Sequence, residues 1–144
     1  MKFSIRQGSV PELVRVNQQI TEFAAPYTEA VFRQRLEGRR WYGLVAESVN
    51  VFVGFKVGYE ESETVFYSWL GGVLAERRGQ GIARELLYEQ ERWVRGQGYR
   101  QIRVKSRNRF RPMLTLLKKE GYERVAVEPQ ADPADTRIHF LKTL

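Results

Sequence analysis

Apolar and polar positions alternate through residues 2–7, with Phe3 and Ile5 on one side and Ser4 and Arg6 on the other, which predicts a short strand. Ser9, Pro11 and Glu12 then spell a helix start. Ser9 caps, Pro11 sits in the first turn where its missing N–H costs nothing, and Glu12 completes a capping box. Val10, Leu13, Val14, Ile20 and Phe23 follow the helical period, interrupted by Asn17, and stop before Pro26. A second helix is expected from Thr28 as its cap, through Val31, Phe32 and Leu36, to Gly38 with Arg39 and Arg40 at its C-terminal end.

From there the period drops to two. Residues 41–47 form a candidate strand, and the next carries Val51, Val53, Phe55, Val57 and Tyr59 on one face, expected to be buried, with Phe52, Gly54, Lys56 and Gly58 on the other. The polar stretch Glu60, Glu61, Ser62 and Glu63 reads as a hairpin turn into a third strand over 64–74, so the middle of the chain is an antiparallel meander. Gly71 and Gly72 inside that strand predict a bulge or a close backbone approach. The helical stripe returns at Ile82, Ala83, Leu86, Leu87, Trp93 and Val94 and ends at Gly96 to Gly98. A strand over 99–105, a helix from Pro112 through Met113, Leu116 and Leu117 to Gly121, and strands over 122–127 and 136–141 complete a mixed α/β sheet order.

Composition narrows the class. A chain of 144 residues that is 42% hydrophobic and 28% charged fits one globular domain. It has no Cys and one His, His139, so disulfides, thiol nucleophiles and structural zinc are not available, and no metal site is expected. Lys and Arg total 24 against 17 acidic residues, a formal charge of +7, which points to an anionic partner: nucleic acid, a membrane surface or a phosphorylated small molecule. Every apolar run is shorter than the ~18 residues of a membrane span, and no apolar stretch opens the chain, so a cytoplasmic protein without a membrane partner is expected.

The run from Val73 to Ala83 carries the most chemistry, because a strand passes through the Gly-rich turn Arg78-Gly79-Gln80-Gly81 straight into a helix with no capping side chain. The first N–H groups of such a helix lack internal partners and carry partial positive charge, so a pyrophosphate would satisfy them; a plain turn using glycine's backbone freedom is the other reading. No Gly-Lys-Ser or Gly-Lys-Thr follows, which excludes a nucleotide-hydrolase phosphate loop. Arg84 stands where a dinucleotide fingerprint needs its third Gly, which excludes that fold too.

Arg78-x-x-Gly81-x-Ala83 resembles the acetyl-CoA-binding motif of the GNAT superfamily of N-acetyltransferases, and the element order resembles that family's over essentially the whole chain, including Gly121-Tyr122 after the last helix. The resemblance implies a mixed, mostly antiparallel central sheet of about seven strands with about four helices on its faces. It implies acetyl-CoA as co-substrate, with backbone groups of Val73 and Leu74 on the acetyl and pantetheine part where two parallel strands splay. Arg78, Gly79, Gln80, Gly81, Ile82 and Ala83 would then hold the pyrophosphate, and Asn108 would meet the pantetheine arm. Family members often place a proton-donating Tyr four residues before the Gly of the last helix, but here that position is Leu117. Where some members carry a catalytic Glu, eleven residues before the motif Arg, this chain has Tyr67, readable as core or as a proton-handling phenol, with Glu63 and Glu61 at the nearby hairpin.

The expected reaction is transfer of acetyl to a primary amine of a small molecule or peptide by direct attack in a ternary complex, since no Cys is present for a covalent intermediate. Helices one and two and the hairpin at Glu60 to Glu63 would wall the acceptor, with Tyr27, Trp41 and Tyr42 as contacts. A second copy of the chain is a further candidate partner. The cluster Arg100, Arg103, Lys105, Arg107, Arg109 and Arg111 reads first as a solvated face, then as a cofactor-phosphate contact, and last as a nucleic-acid surface. The alternatives to an enzyme are a nucleic-acid-binding module built on that cluster and a CoA-binding regulator without catalysis.

Overall fold

The computed structural model describes residues 2–20 and 26–144. Among them, strands β1 (Ser4–Gln7), β2 (Trp41–Ser48), β3 (Val51–Glu60), β4 (Val65–Val73), β5 (Gln101–Arg107), β6 (Glu123–Glu128) and β7 (Arg137–Thr143) form one sheet in the order β1-β2-β3-β4-β5-β7-β6. Every neighbouring pair is antiparallel except β4 and β5. Helices α1 (Val10–Gln18) and α2 (Glu29–Leu36) cover one face, and α3 (Ile82–Gly96) and α4 (Arg111–Lys119) the other.

The helix ends follow local chemistry. Ser9 and Glu12 form the expected reciprocal capping box of α1, and Thr28 accepts from the Val31 N–H at the start of α2. Helix α1 stops at Gln18, earlier than the periodicity predicts, because the Gln19 N–H bonds back to Val16 and closes the last turn tightly. Ile20 is still buried beyond it, and Phe23 lies outside the described residues.

The expectation that β3 buries one face is corrected. Val53, Phe55, Val57 and Tyr59 are buried, but so is Lys56, because helices pack on both sides of this strand. A bulge at Val53, opposite the Ala46–Glu47 step, also breaks the alternation. Val53 therefore packs under α3 with Leu44, Val73 and Ile82, while Phe55, Val57 and Tyr59 pack under α1 and α2. A second bulge lies at Trp69 in β4, two residues before the Gly71-Gly72 pair that signalled one. Gly71 serves a close approach instead, since a Cβ there would sit 3.3 Å from the Lys56 side chain.

The core beneath α1 and α2 draws its strand residues from β2, β3 and β4 alone. The same face of β5, β7 and β6 is left without a helix, and Arg103, Lys105 and Arg137 stand on it half-buried. No helix among the described residues is long and apolar enough to cross a membrane.

Candidate active site

Among the described residues the one parallel strand pair is also paired over a short stretch only. β4 and β5 are paired only from Val65 opposite Gln101 to Ser68 opposite Val104. Beyond that point β4 continues to Val73, paired with β3, and β5 continues to Arg107, paired with β7. The bulge at Trp69 bends β4 away at the residue where pairing stops. The two strands thus splay into a V whose inner edges carry backbone N–H and C=O groups without a strand partner, which suits a slender ligand with amides of its own.

The V opens at the start of α3. After β4 the chain makes one 3₁₀ turn (Ala75–Arg77), an extended Arg78, and then Gly79 and Gly81 with φ of +81° and +84°. The left-handed angles need glycine, as the plain-turn reading has it, and the same turn delivers a helix with no side-chain cap. The first helical bond runs from the Glu85 N–H to the Gly81 carbonyl, leaving the N–H groups of Ile82, Ala83 and Arg84 ahead of it. Nothing lies within 4 Å of a Cβ at Gly79 or Gly81, so an anion can reach this backbone. Ile82 is buried against Gly54 and offers only its backbone, and Gln80 is half-buried in the turn.

Several groups at the base of the loop are engaged within the chain. Arg78 donates from Nε and Nη2 to the Val73 carbonyl at 3.2 and 3.1 Å, which ties the loop to the end of β4. The Leu74 N–H bonds Val53 O at 2.9 Å, and its carbonyl accepts from Arg77 at 2.9 Å. Asn108 follows β5 and bonds the loop before β7, through its N–H to Thr136 O at 2.9 Å and weakly through Nδ2 to Pro133 O at 3.4 Å. Three of the six cluster residues are likewise occupied. Arg103 chelates Glu61, Arg107 donates to Asp135 O at 3.2 Å, and Arg109 Nε to Asp135 Oδ1 at 2.8 Å. The two bonds to Asp135 tie the end of β5 and the start of the β5–α4 connection to the β6–β7 connection, and the bond to Glu61 ties β5 to the β3–β4 hairpin.

On the α1/α2 side of the V stands an aromatic floor. Tyr67 is edge-on to Tyr59 at 5.5 Å, Tyr59 lies 6.1 Å from Trp69, and Tyr27 lies 5.4 Å from Trp69. Burial, more than the charge of any neighbour, pushes the Tyr67 phenol up to about 12, so it keeps its proton at neutral pH. Arg103 and the Lys105 ammonium each lie 5.4 Å from its ring. Trp41 packs on this side, but Tyr42 does not, because strand alternation turns it to the other face, where it stacks on Trp93 of α3 at 4.2 Å. The structure also fails to bring Glu63 to the V. It sits exposed at the hairpin tip, five strand residues before Ser68, or about 16 Å along β4. Leu117 is fully buried in the core under α4, and Tyr122 donates to Glu91 at 2.7 Å, so neither reaches the opening.

His139, the single His, links Arg103 (Nη1 to Nδ1, 3.3 Å) to Glu128 on the open face. That link depends on β5 pairing with β7 in the register Lys105 opposite His139, which no local pattern announces.

A family model described as the acetyltransferase (GNAT) family matches residues 12–122. Among solved structures, Ard1 from Thermoplasma volcanium is similar with a TM-score of 0.82 at 21% identity, covering 99% of this chain and 97% of that one. The ribosomal-protein-S18-alanine N-acetyltransferase from Escherichia coli gives 0.84 at 15% identity, covering 99% and 94%. A GNAT acetyltransferase from Elizabethkingia anophelis with acetyl-CoA bound gives 0.75 at 15%, covering 99% and 98%. No curated protein sequence matches the chain.

Proposed function

The chain belongs to the acetyltransferase (GNAT) family and is an acetyl-CoA-dependent enzyme, and from that premise we propose that it acetylates a primary amine by direct attack on the thioester within a ternary complex. The single observation that carries this reading is the β4–β5 splay opening onto the uncapped start of α3. Acetyl-CoA supplies the activated acetyl group. The backbone from Arg78 to Ala83 would hold its pyrophosphate, since three unbonded N–H groups and the positive end of a 15-residue helix converge there with open space before them. The unpaired edges of β4 and β5 would take the pantetheine amides. Asn108 follows β5, and its weak bond to Pro133 could be exchanged for one to the pantetheine arm.

The remaining chemistry belongs to positioning and to one phenol. A Tyr67 that holds its proton to about 12 is a donor rather than a base, and it stands one residue before the point where the strands part. It would hand a proton to the departing thiolate, the role that Leu117 cannot fill. Backbone N–H groups at the splay would stabilise charge growing on the thioester oxygen.

The test pairs calorimetry with free-thiol release. CoA binding that weakens with salt, together with thiol release dependent on an added amine, is the expected result. Absence of CoA binding at low salt would refute the cofactor site. CoA binding with no thiol release across an amine panel would favour a non-catalytic regulator.

A further inference from the structure

The acceptor side of the V carries more positive charge than the protein itself neutralises. Four cations touch the aromatic floor. Arg35 lies 4.8 Å over Trp69 and donates to the Tyr59 hydroxyl at 3.3 Å, Arg39 lies 4.7 Å over Tyr59, and Arg103 and Lys105 flank Tyr67. Of these, Arg103 is matched by Glu61. Glu128 feels the charge of Lys105 but is bonded to His139 and lies within 4.0 Å of Arg137. Among the described residues, Arg35, Arg39 and Lys105 have ring or phenol partners and no carboxylate partner.

A ring face attracts a cation but does not neutralise it, and a guanidinium stacked on a ring keeps its in-plane N–H donors pointing outward. The floor therefore offers apolar area for a side chain and, around it, donors in search of an anion. An acceptor that is only an ammonium meets more cations than carboxylates there. An amine that brings its own anion offsets that excess, and the same positive surroundings favour the neutral amine that attack on a thioester needs.

We propose that the acceptor is an anionic amine, whose carboxylate or phosphate is held by Lys105, Arg35 and Arg39 while its amine is presented beside Tyr67. This deepens the acetyl-transfer reading and rests on it. The anion could belong to a small amino acid or to an acidic residue near the amino terminus of a peptide, and both present the same chemistry.

The test uses matched acceptors with the full chain. Phenylalanine is compared with its carboxamide, and two C-terminally amidated peptides are compared that differ only by Glu or Lys at the second position. The anionic member of at least one pair should be preferred by about ten-fold or more in kcat/KM at low salt, with the preference shrinking as salt rises. Discrimination in the first pair alone identifies a small acid, and in the second an acidic peptide. Lys105→Glu should abolish the preference while the urea-unfolding midpoint, measured separately, stays at the wild-type value and reports an intact fold. Equal use of both members of each pair, or preference for the carboxamide and the Lys peptide, would overturn the proposal. If no amine is turned over although CoA binds, the acetyl-transfer reading fails. Calorimetric titration of the CoA complex with phenylalanine and with its carboxamide then still decides the charge preference.

Discussion

At the scale of single residues, Gly81 and Tyr67 carry the sharpest consequences. Gly81 sits at φ +84° with nothing within 4 Å of where a Cβ would stand, so a small side chain placed there clashes with no part of the protein but must adopt a strained backbone. Gly81→Ala should cost about 1 kcal/mol of stability for that reason. Asn tolerates the left-handed region, so Gly81→Asn should keep more of the stability while weakening CoA binding several-fold, as read by calorimetry beside a urea titration. Unchanged CoA affinity in a folded Gly81→Asn protein would show that this turn does not approach the cofactor. For Tyr67, removal of the phenolic proton in Tyr67→Phe should lower turnover by roughly ten-fold or more if the phenol donates to the thiolate. Because its proton is retained to about 12, the wild-type rate should show no alkaline fall from this group between pH 7 and 10. A Tyr67→Phe enzyme with the wild-type rate would return the ring to the core.

At the scale of elements, the start of α1 shows how sequence and structure agree. Arg6 of β1 bonds Glu12 at 2.7 Å, and Glu12 also accepts from the Ser9 N–H at 2.9 Å; these contacts, Arg6 first, hold the Glu12 carboxyl down at about 2. A carboxylate with a lowered folded-state pKa contributes stability above its unfolded value and loses it as pH falls. The cap should therefore weaken between about pH 4.5 and 2, and Glu12→Gln should flatten that limb of an acid-unfolding curve. Ser9→Ala should cost about 1 kcal/mol in urea unfolding. These caps, the Gly-terminated helices and the polar hairpin tip were legible because their chemistry is local. The bulge at Val53 was not, and the one in β4 was signalled only two residues away from its place at Trp69, since one extra residue in a strand changes no composition yet reverses which face every later side chain takes. Tyr42 was misplaced for a related reason, as alternation separates it from Trp41 without saying which face receives the acceptor. The Gly-rich turn before α3 was readable as a continuous motif, whereas the grouping of Tyr67, Lys105 and His139 needed three strands brought into register.

At the scale of the whole molecule, helices on both sides of β3 leave a buried amine in the middle of the sheet. Lys56 in β3 is 6% exposed and lies across Gly71, with the glycine leaving room for its stem. Burial drives its pKa down to about 8, opposed by Glu91, which is itself bonded at 2.9 Å to Lys142. A lysine whose folded-state pKa lies below its unfolded value of 10.5 makes the charged folded protein costly. The penalty is complete below pH 8 and vanishes as pH rises toward 10.5, because over that interval the unfolded chain binds the proton and the folded one does not. The pKa difference corresponds to a penalty on the order of 3 kcal/mol at neutral pH. Lys56→Met keeps the stem's volume and removes the charge, so it should be more stable than wild type at pH 7, with the advantage shrinking steadily between pH 8 and 10.5. Tyrosines with raised pKa values destabilise both proteins alike above pH 10, so the quantity to follow is the difference between the two urea curves at each pH. A difference that does not change with pH would mean that Lys56 stays charged in the fold, held by a partner the burial argument does not contain.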